Sequence, residues 1–260
     1  MKASHMRPCV RFLVRPGREA SVPVPTMNRF PNFRSGSHGQ IVLVNQSGVV
    51  FANGAQVNVG SLIASTASIS DPQRFMNGGQ VTFDLPAPGA NASVVNAGTI
   101  TVKSGGLVGL VGHTAVYSGV INARLGLVTI AGAETFSVDL AGDGLINFQI
   151  GKPVSRQPLD AQGRKVPLAS NTGTINATGG IVALTAHAAG SVVDNVVNAG
   201  GVIRATPVRL EGTTVVMEGE EFGMVKITGS FAASGKGPVR ISGQATAATN
   251  GGRAVVISRR

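Results

Sequence analysis

From residue 39 onward the sequence predicts an all-β fold, a stacked β solenoid built from short repeated coils. Three observations predict it. Apolar and small polar residues alternate with period two from Gly39, as in strands that bury one face. Gly and Asn break these runs every five to ten residues, and both tolerate the left-handed backbone of tight corners. One corner-plus-strand unit recurs along the chain, and internal repeats of about 20–50 residues are the mark of solenoids.

Residues 1–38 are rich in Arg, Pro and Ser and lack a sustained period. They are expected to form an irregular arm, with the solenoid domain spanning 39–260. Within "GQIVLVNQSGVVFANGAQVNVGSLIAST" (39–66), Ile41 and Leu43, then Val57 and Val59, mark alternating strands. The unit of corner residue, x-Gly and alternating strand then appears as "VNAGTITVKSGG" (95–106), "YSGVINARLG" (117–126), "NTGTINATGG" (171–180) and "VNAGGVIRAT" (197–206). A second unit follows the first, with "GGLVGLVGH" (105–113) matching "GGIVALTAH" (179–187). Asn96 to Tyr117 is 21 residues and Asn171 to Asn198 is 27, both one coil. The 54 residues from Tyr117 to Asn171 are too many for one coil. They include 142–167, expected to be a strand followed by an extruded loop. Parallel ladders are expected to join 95–102, 120–124, 173–177 and 200–205.

Composition fits a narrow aliphatic interior. Trp is absent, Tyr occurs once, and aromatics are 4% of the chain against 43% apolar residues. Large aromatics are expected to fit such a core poorly, and Asn to form stacked amide ladders. The 36 glycines follow no Gly-X-Y period, which excludes collagen. The net charge of +10 is concentrated at the start, where residues 1–35 hold seven basic residues against Glu19. The rest is close to neutral for its size. With few aromatics to stack bases, a nucleic-acid partner is not expected. Cys9 is the single cysteine, so no intrachain disulfide is possible. No apolar run approaches the ~20 residues of a transmembrane helix. The longest apolar stretch near the start, Phe12-Leu13-Val14, is too short for a secretory signal.

Candidate chemical sites are few. His113 and His187 end the two matching copies of the second unit and are expected at surface corners; two histidines do not complete a metal site. Glu134, Asp139 and Asp143 are the acidic residues nearest to a polysaccharide-cleaving pair, which needs two carboxylates across a groove. Asp143-Gly144 is first a turn signal. Glu218, Glu220 and Glu221 are expected on a solvated face. "GSFAASGKGP" (229–238) departs from a phosphate-binding loop in spacing and lacks the Ser/Thr after Lys236. No catalytic residue, cofactor or metal is expected.

The stretch "GQIVLVNQSGVVFANGAQVNVGSLIASTASISD" (39–71) resembles the core of the two-partner-secretion domain of filamentous haemagglutinin-like exoproteins. "AGDGLINFQI" and the N-x-G-x-I-x-A units resemble the same family. The resemblance implies a right-handed parallel β-helix with an extra-helical hairpin. It also implies recognition by an outer-membrane β-barrel transporter with periplasmic domains, secretion, and association with adhesion, with host-cell or surface glycans as further partners. Asn45 and Gly48 match the family's Asn-Pro-Asn-Gly turn, while Gln46 and Ser47 replace its Pro and second Asn. These four residues, Asn45, Gln46, Ser47 and Gly48, are the expected recognition turn.

The expectation is therefore a non-enzymatic secretion domain, truncated at its start. Without a visible signal peptide the chain would stay in the cytoplasm, with an uncapped first coil. The alternatives are a β-helix carbohydrate-active enzyme and a degenerate fragment without independent function.

Overall fold

A computed structural model describes residues 11–15, 32–34, 39–77, 80–139, 147–160, 162–178 and 180–188, and eight further segments between 197 and 259 that are strands. In chain order, β1 (Arg11–Arg15) and β2 (Asn32–Arg34) precede the first coil, which is β3 (Gln40–Val44), β4 (Val49–Phe51) and β5 (Gln56–Val59). The second coil starts with β6 (Ser61–Ser65), leaves the solenoid through α1 (Pro72–Asn77) and β7 (Val81–Phe83), and resumes with β8 (Ser93–Asn96) and β9 (Thr99–Val102). The third is β10 (Leu107–Gly112), β11 (Thr114–Tyr117) and β12 (Val120–Asn122). The fourth starts with β13 (Leu127–Gly132), leaves through the hairpin β14 (Phe136–Asp139) and β15 (Asn147–Ile150), and resumes with β16 (Ala169–Asn171) and β17 (Thr174–Asn176). The fifth is β18 (Ile181–Ala188), β19 (Val197–Ala199) and β20 (Val202–Ala205), followed by the hairpin β21 (Arg209–Glu211) and β22 (Thr214–Val216). Then come β23 (Met224–Phe231), β24 (Val239–Ile241), β25 (Gln244–Ala247) and β26 (Arg253–Arg259).

These strands stack into three sheets, which together make a parallel β-helix. Sheet A runs β1-β3-β6-β10-β13-β18-β23-β26, sheet B runs β4-β8-β11-β16-β19-β24, and sheet C runs β2-β5-β9-β12-β17-β20-β25. Every pairing in them is parallel except β1 with β3. Each coil places like on like. Val57, Ile100, Ile121 and Ile175 share one register in sheet C, and Leu43, Ala64, Leu110, Ile130 and Leu184 share one in sheet A. Their side chains fill the interior. Alternation in the sequence thus becomes one apolar column per inward position.

Two glycine columns explain much of the glycine content. A Cβ on Gly98 would lie 2.5 Å from the Ala55 carbonyl oxygen, and one on Gly119 would lie against the Gly98 carbonyl. At the next corner Gly106, Gly126 and Gly180 meet the carbonyl of the coil below in the same way. At both corners backbone rests on backbone and leaves no room for a side chain.

Several expectations need correction. β1 and β2 fall within the segment expected to be irregular. β1 pairs antiparallel along the outer edge of β3, and β2 pairs with β5. The first coil is therefore flanked on two of its three sheets. Aromatics are not excluded from the interior. Phe51 and Tyr117 belong to the inner core, and the buried Tyr117 hydroxyl donates to the Thr174 carbonyl. The amide ladder forms outside sheet C, where Asn176 Nδ2 donates to Asn122 Oδ1 (3.0 Å) and Asn122 Nδ2 to Thr101 Oγ1 (3.3 Å). In sheet B, Tyr117 separates Asn96 from Asn171. Asn171 pairs with Ala199 rather than Asn198, so that coil is one residue longer than the sequence alignment suggests.

The outer face of sheet A carries a second core. β7, β14 and β15 form an antiparallel sheet, and Phe83 and Phe136 stack in register at 4.1 Å between ring centroids. Beneath them lie Val42, Val44, Ile63, Leu107, Val111 and Ala131, the outward residues of sheet A. Two excursions from the solenoid, 66–92 and 133–168, build this layer. The expected hairpin and extruded loop is the second of them.

Candidate functional site

The turn at residues 45–48 links β3 to β4 and is formed as expected from its residue types. The Gly48 N–H donates to the Asn45 carbonyl (2.9 Å), and the Ser47 N–H to Asn45 Oδ1 (3.0 Å). An Asx turn is thus nested inside a β-turn. Gly48 has φ +117°, and a Cβ there would lie 3.1 Å from the Ser93 carbonyl oxygen. Asn45 is buried, and its N–H donates to the Ser65 carbonyl (3.0 Å). The same Asx device closes the corners at Asn96 and Asn171, whose Oδ1 atoms accept the N–H of Gly98 and Gly173 (3.0 Å each). Asn45 therefore serves the backbone, and Ser47 is the exposed side chain of the four.

Gln46 ties this turn to the first excursion. Its Nε2 donates to the carbonyls of Leu85 (3.2 Å) and Pro86 (3.1 Å). Each such bond contributes about 1 kcal/mol. A proline here would stiffen the turn but could not make these bonds, so Gln46 replaces local rigidity with a long-range anchor. Nothing in the sequence signals this, because the partners lie 39 and 40 residues away.

His113 is not the surface corner residue expected of it. Its ring is buried where the third coil meets both excursions. Nε2 lies 3.8 Å from Glu134 Oε1, and that same oxygen accepts the Ser155 N–H (2.9 Å) and Oγ–H (2.6 Å). Burial holds the His113 pKa below its usual value, partly offset by the Glu134 carboxylate and the Gly89 backbone, with Arg156 adding to the depression. The order Ser–Glu–His is wrong for nucleophilic catalysis, which needs the imidazole between hydroxyl and carboxylate. His187 is remote. Gly112 pairs with Gly132 and Gly132 with Ala186, so two coil steps, about 10 Å, separate the backbones of the two histidines. Zinc ligands lie about 2 Å from the metal, so this backbone separation does not by itself bring the pair onto one ion.

The acidic residues do not converge. Glu134 is engaged with Ser155, and Asp139 ends β14 opposite Asn147. Five residues of extended chain place Glu134 and Asp139 about 16 Å apart along the backbone, beyond the roughly 10 Å limit of a glycosidase pair. Asp143, Glu218, Glu220, Glu221, Cys9, His5 and His38 lie outside the described residues. Among the described residues no cluster of three His, Cys, Asp or Glu could hold a metal ion. No helix among them is long and apolar enough to cross a membrane.

The family model described as the TPS secretion domain matches residues 34–241. Among solved structures, the chain is similar to the crystal structure of the HMW1 secretion domain from Haemophilus influenzae. The two are 16% identical with a TM-score of 0.47, over 86% of this chain and 72% of that one. No curated protein matches.

Proposed function

The chain belongs to the two-partner-secretion (TPS) secretion-domain family, and from that premise we propose that its β-helix is the segment by which an outer-membrane β-barrel transporter recognises and exports an exoprotein. The observation that carries this role is the family match across 34–241, most of the described solenoid. The role is recognition and export, not catalysis, and the exported protein acts in adhesion at the cell surface or beyond it, with surface glycans as its ligands. The turn Asn45–Gly48 with its anchor at Leu85 and Pro86 is the recognition element. What supports this is its build: a frame from the buried Asn45 and the positive-φ Gly48, and an exposed Ser47 beside the anchored Gln46.

The test places the chain behind a cleavable export signal in cells that carry a two-partner-secretion transporter. Secreted protein is measured for the native chain and for Ser47→Arg. The native chain is expected in the medium, and Ser47→Arg is expected to fold but to be secreted at least about tenfold less, the equivalent of ~1.4 kcal/mol of lost recognition. Equal secretion of both would remove the turn from the recognition element. No transporter-dependent secretion of either would remove the export role.

A further inference from the structure

We propose that His113 is an acid-sensitive lock that fastens both extra-helical excursions to the third coil. This stands independently of transporter recognition.

Three chain segments meet at this ring. Its own corner, Gly112–Thr114, joins β10 to β11. The first excursion presents the Gly89 backbone, and the second presents Glu134 with Ser155 and Arg156. The imidazole side chain is 7% exposed and the Glu134 side chain 17%. Nδ1 has no hydrogen-bond partner, and Nε2 stands 3.8 Å from Glu134 Oε1, longer than a hydrogen bond. A neutral ring is tolerable there as an apolar plug. An imidazolium is not, because it would be a buried cation whose Nδ1 has no acceptor, whose carboxylate neighbour is beyond hydrogen-bond reach, and which has only the Gly89 backbone to bond to.

Of the charged groups facing the ring, Glu134 relieves this only in part. Glu134 Oε1, the oxygen nearest the ring, is committed to two bonds from Ser155. To close on the imidazolium, the carboxylate must leave them or carry the 133–155 base with it. Arg156 adds a like charge. The remaining route is for the excursions to loosen and admit water. The sign follows from the depressed pKa. A histidine that titrates below its ordinary 6.5 when folded gives its full stability above pH 6.5. That stability is lost as pH falls through 6.5 toward the folded value. Because Leu85 and Pro86 hold Gln46, the loosening reaches the turn at Asn45 as well.

Amide hydrogen exchange tests the lock at pH 7.5 and 5.5, after correction for intrinsic exchange rates. Peptides covering 66–92 and 133–168 are expected to lose protection by about threefold or more at the lower pH, while β10–β13 hold theirs. His113→Gln, neutral at both values, is expected to abolish the difference. Equal protection of the native excursions at both values, or the same loss in His113→Gln, would overturn the proposal. Should His113→Gln not fold, an NMR titration of native protein labelled at its histidine rings decides. A ring assigned to residue 113 that titrates at or above 6.5 overturns the lock, and one that titrates below 6.5 together with loosened excursions supports it.

Discussion

The inner core and the extra-helical layer of this molecule are both apolar, yet they are specified in opposite ways. Inside the solenoid each position is one member of a column, such as Ile100, Ile121 and Ile175, and each coil repeats the solution of the one below. Outside sheet A each contact occurs once: Phe83 on Phe136, Gln46 on Leu85 and Pro86, and Glu134 on Ser155. The columns tolerate volume changes that a neighbour can share but admit no change of backbone spacing. The outer layer tolerates spacing changes in its loops but has no second copy of any anchor. Redundancy protects the first, and singular contacts leave the second the easier to release.

Four substitutions separate the two regimes. Gly98→Val should have the largest effect, because even a Cβ would lie 2.5 Å from the Ala55 carbonyl oxygen. Forcing those coils apart is expected to cost about 4 kcal/mol or more, seen as a large fall in the urea midpoint for the whole solenoid. A loss below about 1 kcal/mol would show that the coils separate freely and would break the distinction drawn here. Phe136→Ala is expected to remove about 3 kcal/mol from the outer layer alone. Fluorescent dye binding and exchange in 66–92 and 133–168 should then report an early transition, with the solenoid melting later. A single unchanged transition would mean that the two layers fold as one unit. Gln46→Ala, which removes both bonds, is expected to cost about 2 kcal/mol and to raise exchange only near residues 45–48 and 85–86. Lys103→Gln should stay within about 0.5 kcal/mol of the native chain, since Lys103 is exposed at the corner between the second and third coils.

The columnar part of the fold was legible in the sequence because repetition writes the same message several times. The N-x-G-x-I units gave sheets B and C, and "LVGLVG" with "IVALTA" gave sheet A. The second excursion was legible from surplus length. The first was not, although the same test applies: Ser61 and Leu107 are neighbours in the stack yet lie 46 residues apart. The strands of the outer sheet are three or four residues long, too short to show a period. Their residues are chosen by partners far along the chain. His113 was misplaced for that reason. Its repeat-mate His187 suggested a surface corner, and the burial comes from excursions that no repeat encodes. β1 was missed because "RFLVR" has an apolar centre of only three residues, and its strand character depends on the edge of β3 beneath it.

The glycine columns also bear on the order in which such a chain can be assembled. At each of these corners the carbonyl of one coil is the floor on which the next glycine rests: Ala55 beneath Gly98, Gly98 beneath Gly119, and Gly119 beneath Gly173. A finished coil therefore offers a fitted floor to the coil beside it, and that coil offers the same floor to the next. Contacts between coils are to nearest neighbours, so closure of a plain coil spans about 20 residues however long the stack becomes. Growth of this kind runs as a zipper with a travelling end. A chain arriving one segment at a time can fold at the rate it is delivered, and each added coil makes the preceding step harder to reverse.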